Sequence, residues 1–157
     1  MGNLYLLGGQ PASGKSTIAQ QYIKDHPNTV WVSRDAIRFA LLGDGDYYFE
    51  RENDVYRQFI EEICSNLDKG YDVLADQTNL NTKSRSKLLR AIDFKQGKYD
   101  NLYCIWVNTS LQTSLKRNEE RSGRAKVPES ALINMYNRMT KPSTSEGFNE
   151  IFIVNGE

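Results

Sequence analysis

Residues Gly9 to Ser16 read G-Q-P-A-S-G-K-S, the full phosphate-binding loop pattern GxxxxGK[ST], and they directly follow the apolar run Leu4-Tyr5-Leu6-Leu7. Such a loop turns successive backbone N–H groups inward around a phosphate, and Gly9 and Gly14 provide the backbone freedom this requires. Lys15 carries positive charge to the β and γ oxygens, Ser16 offers a hydroxyl to Mg²⁺, and the helix that opens there directs its positive end at the same anion. The expected nucleotide-binding residues are Gly9, Gln10, Pro11, Ala12, Ser13, Gly14, Lys15, Ser16 and Thr17, with Lys15 also catalytic. A strand buried on both faces should precede the loop, as in a parallel sheet. The helix after it should bury the stripe Ile18, Ala19, Tyr22, Ile23 and stop before Pro27.

With 157 residues, 39% hydrophobic and 25% charged, the chain is expected to form one soluble globular domain over residues 1–157. No run of about eighteen apolar residues is present, so a membrane span is not expected, and a cytoplasmic location is. Cys64 and Cys104 lack the paired spacing of a zinc site and read as core residues. The single histidine, His26, reads as a helix cap or surface residue, which leaves little room for histidine-based nucleophilic catalysis. Net charge is zero but unevenly spread. Leu41 to Leu80 carries ten acids against three bases, and Ser114 to Lys141 seven bases against three acids. Neutrality disfavours coating of long nucleic acid, while the basic stretch can still face an anion.

Five apolar runs read as strands: Asn3 to Leu7, Thr29 to Val32, Asp72 to Ala75, Leu102 to Val107 and Glu150 to Val154. Helical patterns alternate with them. Asp54 to Leu67 repeats Val55, Phe59, Ile60, Ile63 and Leu67 at helix spacing and stops at Lys69-Gly70; Thr82 to Ile92, Leu111 to Glu120 and Ser130 to Met139 follow. The alternation predicts an α/β, three-layer fold around a parallel sheet. Gly43-Asp44-Gly45-Asp46 reads as a mobile loop, because the rest of a calcium-loop pattern is missing.

Three further groups fall at predicted strand ends. Ser33-Arg34-Asp35 closes the second strand, and Arg38 would share a helix face with Asp35 at the carboxyl edge of the sheet, where open α/β folds bind ligands. An aspartate beside an acceptor hydroxyl can take the proton released on phosphoryl transfer, although the same residue type also caps helices. Asp76-Gln77-Thr78-Asn79 follows the third strand. Asp76 stands where a carboxylate steadies Mg²⁺, and Thr78 and Asn79 are expected to line an acceptor pocket. Arg117, Arg121 and Arg124 recur at intervals of four and three, so their planar cations can project together over spread phosphate charge.

Taken in order, G-Q-P-A-S-G-K-S-T, S-R-D-A-I-R, D-Q-T-N-L-N and K-R-N-E-E-R followed by V-P-E-S-A-L-I-N-M-Y resemble the phosphate-loop kinases of the polynucleotide 5′-hydroxyl kinase type, over about Leu4 to Met139. The resemblance implies a five-stranded parallel sheet, order 2-3-1-4-5, with an arginine-bearing lid. It implies ATP and Mg²⁺ held by Lys15 and Ser16, Asp35 as general base, Arg38 on the acceptor nucleotide's phosphate, and Arg121 at the transition state and the nucleotide with Arg117 in support. The implied partner is a 5′-hydroxyl DNA or RNA end. Two departures stand out. In the phage version of the family the aspartate directly precedes Thr-Asn-Leu-Asn, whereas here Gln77 intervenes, and the phosphatase motif D-x-D-x-T is not found in this sequence. The same scaffold also suits a small-molecule kinase acting on a nucleoside, sugar or antibiotic, or a nucleotide-dependent binding module.

Overall fold

The computed structural model describes residues 2–123 and 126–157. Its centre is β1 (Leu4–Gly8), which pairs in parallel with β3 (Asp72–Asp76) on one side and β4 (Leu102–Asn108) on the other. β2 (Thr29–Ser33) adds outside β3 and β5 (Glu150–Asn155) outside β4, giving the order β2-β3-β1-β4-β5. That is the predicted topology. Leu4, Leu6 and Leu7 are fully buried, because the central strand has a helical layer on each face.

Alternation along the strands sorts two cores. Leu6, Val32, Ala75, Cys104 and Trp106 pack with α3 (Glu52–Asp68) and α4 (Thr82–Phe94), whereas Leu7, Leu74, Ile105 and Val107 pack with α1 (Lys15–Asp25). All five residues of the predicted α3 stripe are buried. In α1 only Ala19 is fully buried, while Ile18, Tyr22 and Ile23 pack at the margin of the smaller core. Cys104 is buried and Cys64 half-buried, both as free thiols, and burial pushes Cys104 up to about 12.

The helix starts follow capping chemistry. Ser33 accepts from Ala36 N at 3.2 Å to open α2 (Arg34–Leu41), Asn81 and Ser84 form a reciprocal capping box on α4, and Ser110 accepts from Thr113 N at the head of α5 (Leu111–Glu119). His26 ends α1, stacked on Tyr22 with ring centroids 4.1 Å apart. The last helix, α6, spans Glu129–Asn137 rather than Ser130 to Met139, because the Arg138 amide turns back to carbonyls of the final turn. Gly43 to Asp46 is closed as a turn, with the Gly43 amide donating to Asp46 Oδ2 at 2.7 Å. Among the described residues, no helix is long and apolar enough to cross a membrane.

The basic look of Thr82 to Ile92 hides one cation that faces inward. Arg85 is fully buried, pairs with Glu146 at 2.8 Å, donates to the Asn79 carbonyl at 2.9 Å and lies over the Trp106 ring. Removing one partner of such a pair leaves an uncompensated buried charge, so Glu146→Gln should cost about 3–5 kcal/mol. Urea denaturation of the variant and parent checks this, with a lowered midpoint and an unchanged slope expected.

Candidate active site

All five strands point their carboxyl ends at one edge, and the phosphate loop sits in the middle of it. Gly14 holds φ 98° as the residue before α1, a left-handed conformation that glycine adopts without strain. Ala12 also has positive φ, 62°, a conformation that costs on the order of 1–3 kcal/mol and clusters at functional sites. Neighbouring strands fix the loop from outside. The Gly9 amide donates to the Thr78 carbonyl at 2.9 Å, and the Thr109 hydroxyl donates to the Ser13 carbonyl at 2.6 Å. Gln10 is fully buried and donates to the Thr109 carbonyl and Ser114 Oγ, so its side chain ties the loop to α5 and does not reach the cleft. Gly156 closes the far side. A Cβ there would lie 2.1 Å from Thr109 Oγ1 and 2.3 Å from the Ser13 carbonyl oxygen, so this contact admits only glycine.

Above the loop lies an open cleft of about 1860 Å³, larger than the roughly 300–1,000 Å³ of a single small-ligand pocket. Pro11 to Thr17 form its floor, with Asp76 and Thr78 beside them. Because β2 and β4 flank the centre on opposite sides, Asp35 and Arg38 line it from one side and Arg117, Arg121 and Lys126 from the other. Lys15 Nζ is 3.5 Å from Asp76 Oδ1, and Trp31 Nε1 donates to Asp76 Oδ2 at 2.9 Å. Asp76 is in register with Ser33 and Leu7, so it stands next to both the phosphate loop and the start of α2.

Two polar atoms at this floor are buried without a hydrogen-bond partner among the described residues: Ser13 Oγ and Arg117 Nη1. Arg117 Nη1 lies so close over the loop that a Cβ at Gly14 would come within 3.3 Å of it. Unsatisfied buried donors are rare in native proteins. Here they border a loop and helix start that favour an anion, and the residues present therefore fit a nucleotide phosphate. Arg124 lies outside the described residues.

Asp35 is held by its neighbours. Arg38 Nη1 and the Tyr48 hydroxyl both bond to its Oδ1, the latter at 2.9 Å, and its side chain remains 61% exposed. Arg38 is buried, and its remaining donors bond Glu52 through Nε at 3.2 Å and Nη2 at 2.7 and 2.9 Å. Nη1 also reaches the Tyr48 hydroxyl at 2.8 Å, so each of the three guanidinium nitrogens has an acceptor within the protein. Burial raises the Tyr48 phenol well above its ordinary value, and the Asp35 charge adds to this, so Tyr48 stays a donor at neutral pH. Burial pushes Glu52 upward, but the bonds and charge of Arg38 and the charge of Arg34 outweigh it and hold the carboxyl below the usual range.

The chain of contacts continues across the site. Arg34 also binds Glu52 and donates to Gln77 Oε1 at 2.6 Å, Gln77 Nε2 donates to Asn79 Oδ1 at 2.8 Å, and Asn79 Nδ2 donates to the Leu7 carbonyl at 2.8 Å. Asn79 is fully buried with φ 45°. Its side chain is therefore engaged in bracing β1 and not brought to the cleft, unlike Thr78. Sequence reasoning missed Trp31, Tyr48, Glu52 and Gly156. Glu52 lay in an acid-rich stretch that looks solvated, and nothing in the sequence marked Gly156.

Residues 4–142 match a family described as an AAA domain. The chain belongs to that family. It is 27% identical, over 91% of its own length, to a protein of Autographa californica nuclear polyhedrosis virus described as a bifunctional polynucleotide kinase/RNA ligase. The chain spans only 22% of that relative. Among solved structures, it superposes on a chain of the Pnkp1/Rnl/Hen1 RNA repair complex with TM-score 0.74 and 24% identity, covering 87% of this chain and 43% of the other. A sugar kinase from Janibacter sp. HTCC2649 gives TM-score 0.65 at 17% identity, covering 99% and 86%. The fold is that of the phosphate-loop kinases, and the resemblance to the polynucleotide kinase type is shared by the viral relative.

Because Glu52 is more acidic folded than unfolded, its stabilisation is full above the ordinary glutamate range and is lost as pH falls through the lowered value. Glu52→Gln should cost about 1.5–3 kcal/mol at neutral pH, the scale of hydrogen bonds to charged groups. In urea titrations across pH, the gap between parent and variant should close on the acid side.

Proposed function

We propose that the chain transfers the γ-phosphate of ATP to the 5′-hydroxyl of a DNA or RNA end, with Asp35 as general base. The observation that carries this reading is that Asp35 and Lys15 line one open cleft, with Asp35 Oδ1 held by two donors and Oδ2 without a hydrogen bond among the described residues. An attacking alcohol must lose its proton as the phosphoryl group arrives, and a positioned carboxylate can accept it. On this reading the main work of Arg38 is to fix Asp35, since an acceptor phosphate could reach it only by exchange with Tyr48. The similarity to a polynucleotide kinase/RNA ligase and to a chain of an RNA repair complex supports a nucleic-acid acceptor.

The ATP triphosphate would lie on the loop amides, Lys15 and Arg117, with Arg121 facing the transferring group from the Arg117 side of the cleft. Mg²⁺ would be held by the Ser16 hydroxyl and, through water, by Asp76. When bound it neutralises charge on the β and γ oxygens. Lys15 would then exchange its Asp76 partner for phosphate oxygens. Gln77, the departure from the phage pattern, does not displace Asp76 from the loop, because the strand register already sets that carboxylate beside Lys15. We also infer that these residues make a single kinase unit without 3′-phosphatase activity.

The assay offers γ-labelled ATP with 5′-hydroxyl DNA, RNA, nucleosides and sugars. Label on oligonucleotide ends is expected, and label confined to nucleosides or sugars would move the acceptor to a metabolite. Asp35→Asn should lower turnover about 10²–10⁴-fold with the KM for ATP nearly unchanged. Arg121→Ala should lower it on the order of a thousandfold, and an equal loss in nucleotide affinity would make it a binding residue only.

A further inference from the structure

Among the described residues, Phe39, Tyr47 and Phe49 are large apolar side chains that remain 39%, 66% and 59% exposed while lining the cleft. They are organised around Tyr48, the residue that bonds Asp35. Phe49 meets the Tyr48 ring edge-on, with centroids 4.7 Å apart and planes at 81°, and Phe39 does so at 6.3 Å and 71°. The Arg38 guanidinium sits over the Tyr48 ring at 4.3 Å. An aromatic cluster thus extends outward from the proposed base, with Phe49, Tyr47 and part of Phe39 open to solvent.

The charge around these rings narrows what they can receive. Asp46 and Glu52 line the cleft beside them and Asp44 and Glu50 adjoin them in sequence, with Arg51 the only base between Leu41 and Asp54. Arg34 and Arg38 on this wall are paired with Glu52 and Asp35, and further cations, Arg117, Arg121 and Lys126, line the opposite side. An acidic, aromatic wall repels a dense array of phosphates but accepts the faces of bases, which stack on aromatic rings whatever their identity. A flush duplex end offers few free base faces and brings two phosphate backbones. An unpaired strand end offers base faces with one backbone.

We propose that Phe39, Tyr47 and Phe49 form a stacking surface for the unpaired bases that follow the 5′-hydroxyl, making the chain selective for single-stranded ends over flush duplex ends. This deepens the polynucleotide reading and rests on it. Base stacking measured by alanine substitution corresponds to about 5- to 150-fold in affinity per base.

The test measures phosphorylation kinetics of the full chain on four 5′-hydroxyl substrates: a short single strand, the same strand with abasic sites in its first positions, a flush duplex and a duplex with a 5′ overhang. The single strand and overhang should show a KM at least about tenfold below that of the flush duplex and the abasic strand. Tyr47→Ala with Phe49→Ala should raise KM on the intact single strand about 5- to 150-fold, leave KM on the abasic strand unchanged and keep turnover at saturation within about twofold. Phe49→Trp, which retains a ring face, should restore KM relative to Phe49→Ala. Equal KM for single strand and flush duplex, or equal effects of the double substitution on intact and abasic strands, would overturn the stacking assignment alone. Failure of the parent protein to label any oligonucleotide would overturn the polynucleotide reading, and stacking with it.

Discussion

Parallel register is the constraint from which the site follows. β1 is locked between β3 and β4 with Leu7 opposite both Asp76 and Ile105, and β2 carries Ser33 to the same level. Every strand therefore ends at one edge, and the residues just beyond those ends meet without long-range folding of loops. The phosphate loop follows β1, α2 with Asp35 follows β2, Asp76 ends β3, Thr109 follows β4 and Gly156 follows β5. A slip of one residue in any pairing would exchange the faces of that strand, burying what now faces one core against the other. The two-sided apolar burial of β1 makes such a slip costly, and in doing so it fixes the geometry of the site.

Packing alone would leave the side chains at that edge free to rotate. A charge-balanced network prevents this on the Asp35 side. Asp35 and Glu52 alternate with Arg38 and Arg34, and the series passes through Gln77 and Asn79 to the Leu7 carbonyl, the strand that leads into the phosphate loop. Arg38 is the buried ion of this series, tolerated because it has partners on every nitrogen, and it holds one arrangement well because a broken contact would leave its charge desolvated. Asn79 is held from below by Arg85 through its carbonyl, so the brace extends into the larger core.

The parts legible in the sequence are those encoded by neighbours. The loop glycines, the alternation of strands and helices, the α3 stripe and the basic stretch near Arg117 each need only a short window, and sheet order followed from the resemblance. What escaped depends on contacts between distant positions. Glu52 lies 14 residues from Arg38 and 18 from Arg34, in a segment whose composition reads as a solvated face. Arg85 looked like one more cation on a basic helix, yet it is buried, because its partner Glu146 arrives 61 residues later. Gln77 read as an interruption of a motif and is in fact the bridge between Arg34 and Asn79. Asn79 seemed to face a ligand because it is polar and follows a strand, but its left-handed backbone turns it beneath the sheet edge instead.

The absence of net charge conceals the electrical design of the cleft. The α5–α6 side carries Arg117, Arg121 and Lys126, whereas on the other side Arg34 and Arg38 are paired with Glu52 and Asp35 and the segment between α2 and α3 adds acids around exposed rings. On the proposed reading two phosphate-bearing substrates enter one opening and end on opposite sides of a transferring group, so a uniformly basic cleft would attract either of them to either wall. Opposed walls remove that ambiguity: like charges at the acidic wall raise the cost of misplacing a triphosphate there, whereas the loop amides and Lys15 favour it at the floor. An acceptor then has to be held by something other than its phosphates. If the ring faces beside Asp35 stack on bases as proposed, they provide a contact that does not depend on charge, and one wall would select the nucleotide and the other the alcohol.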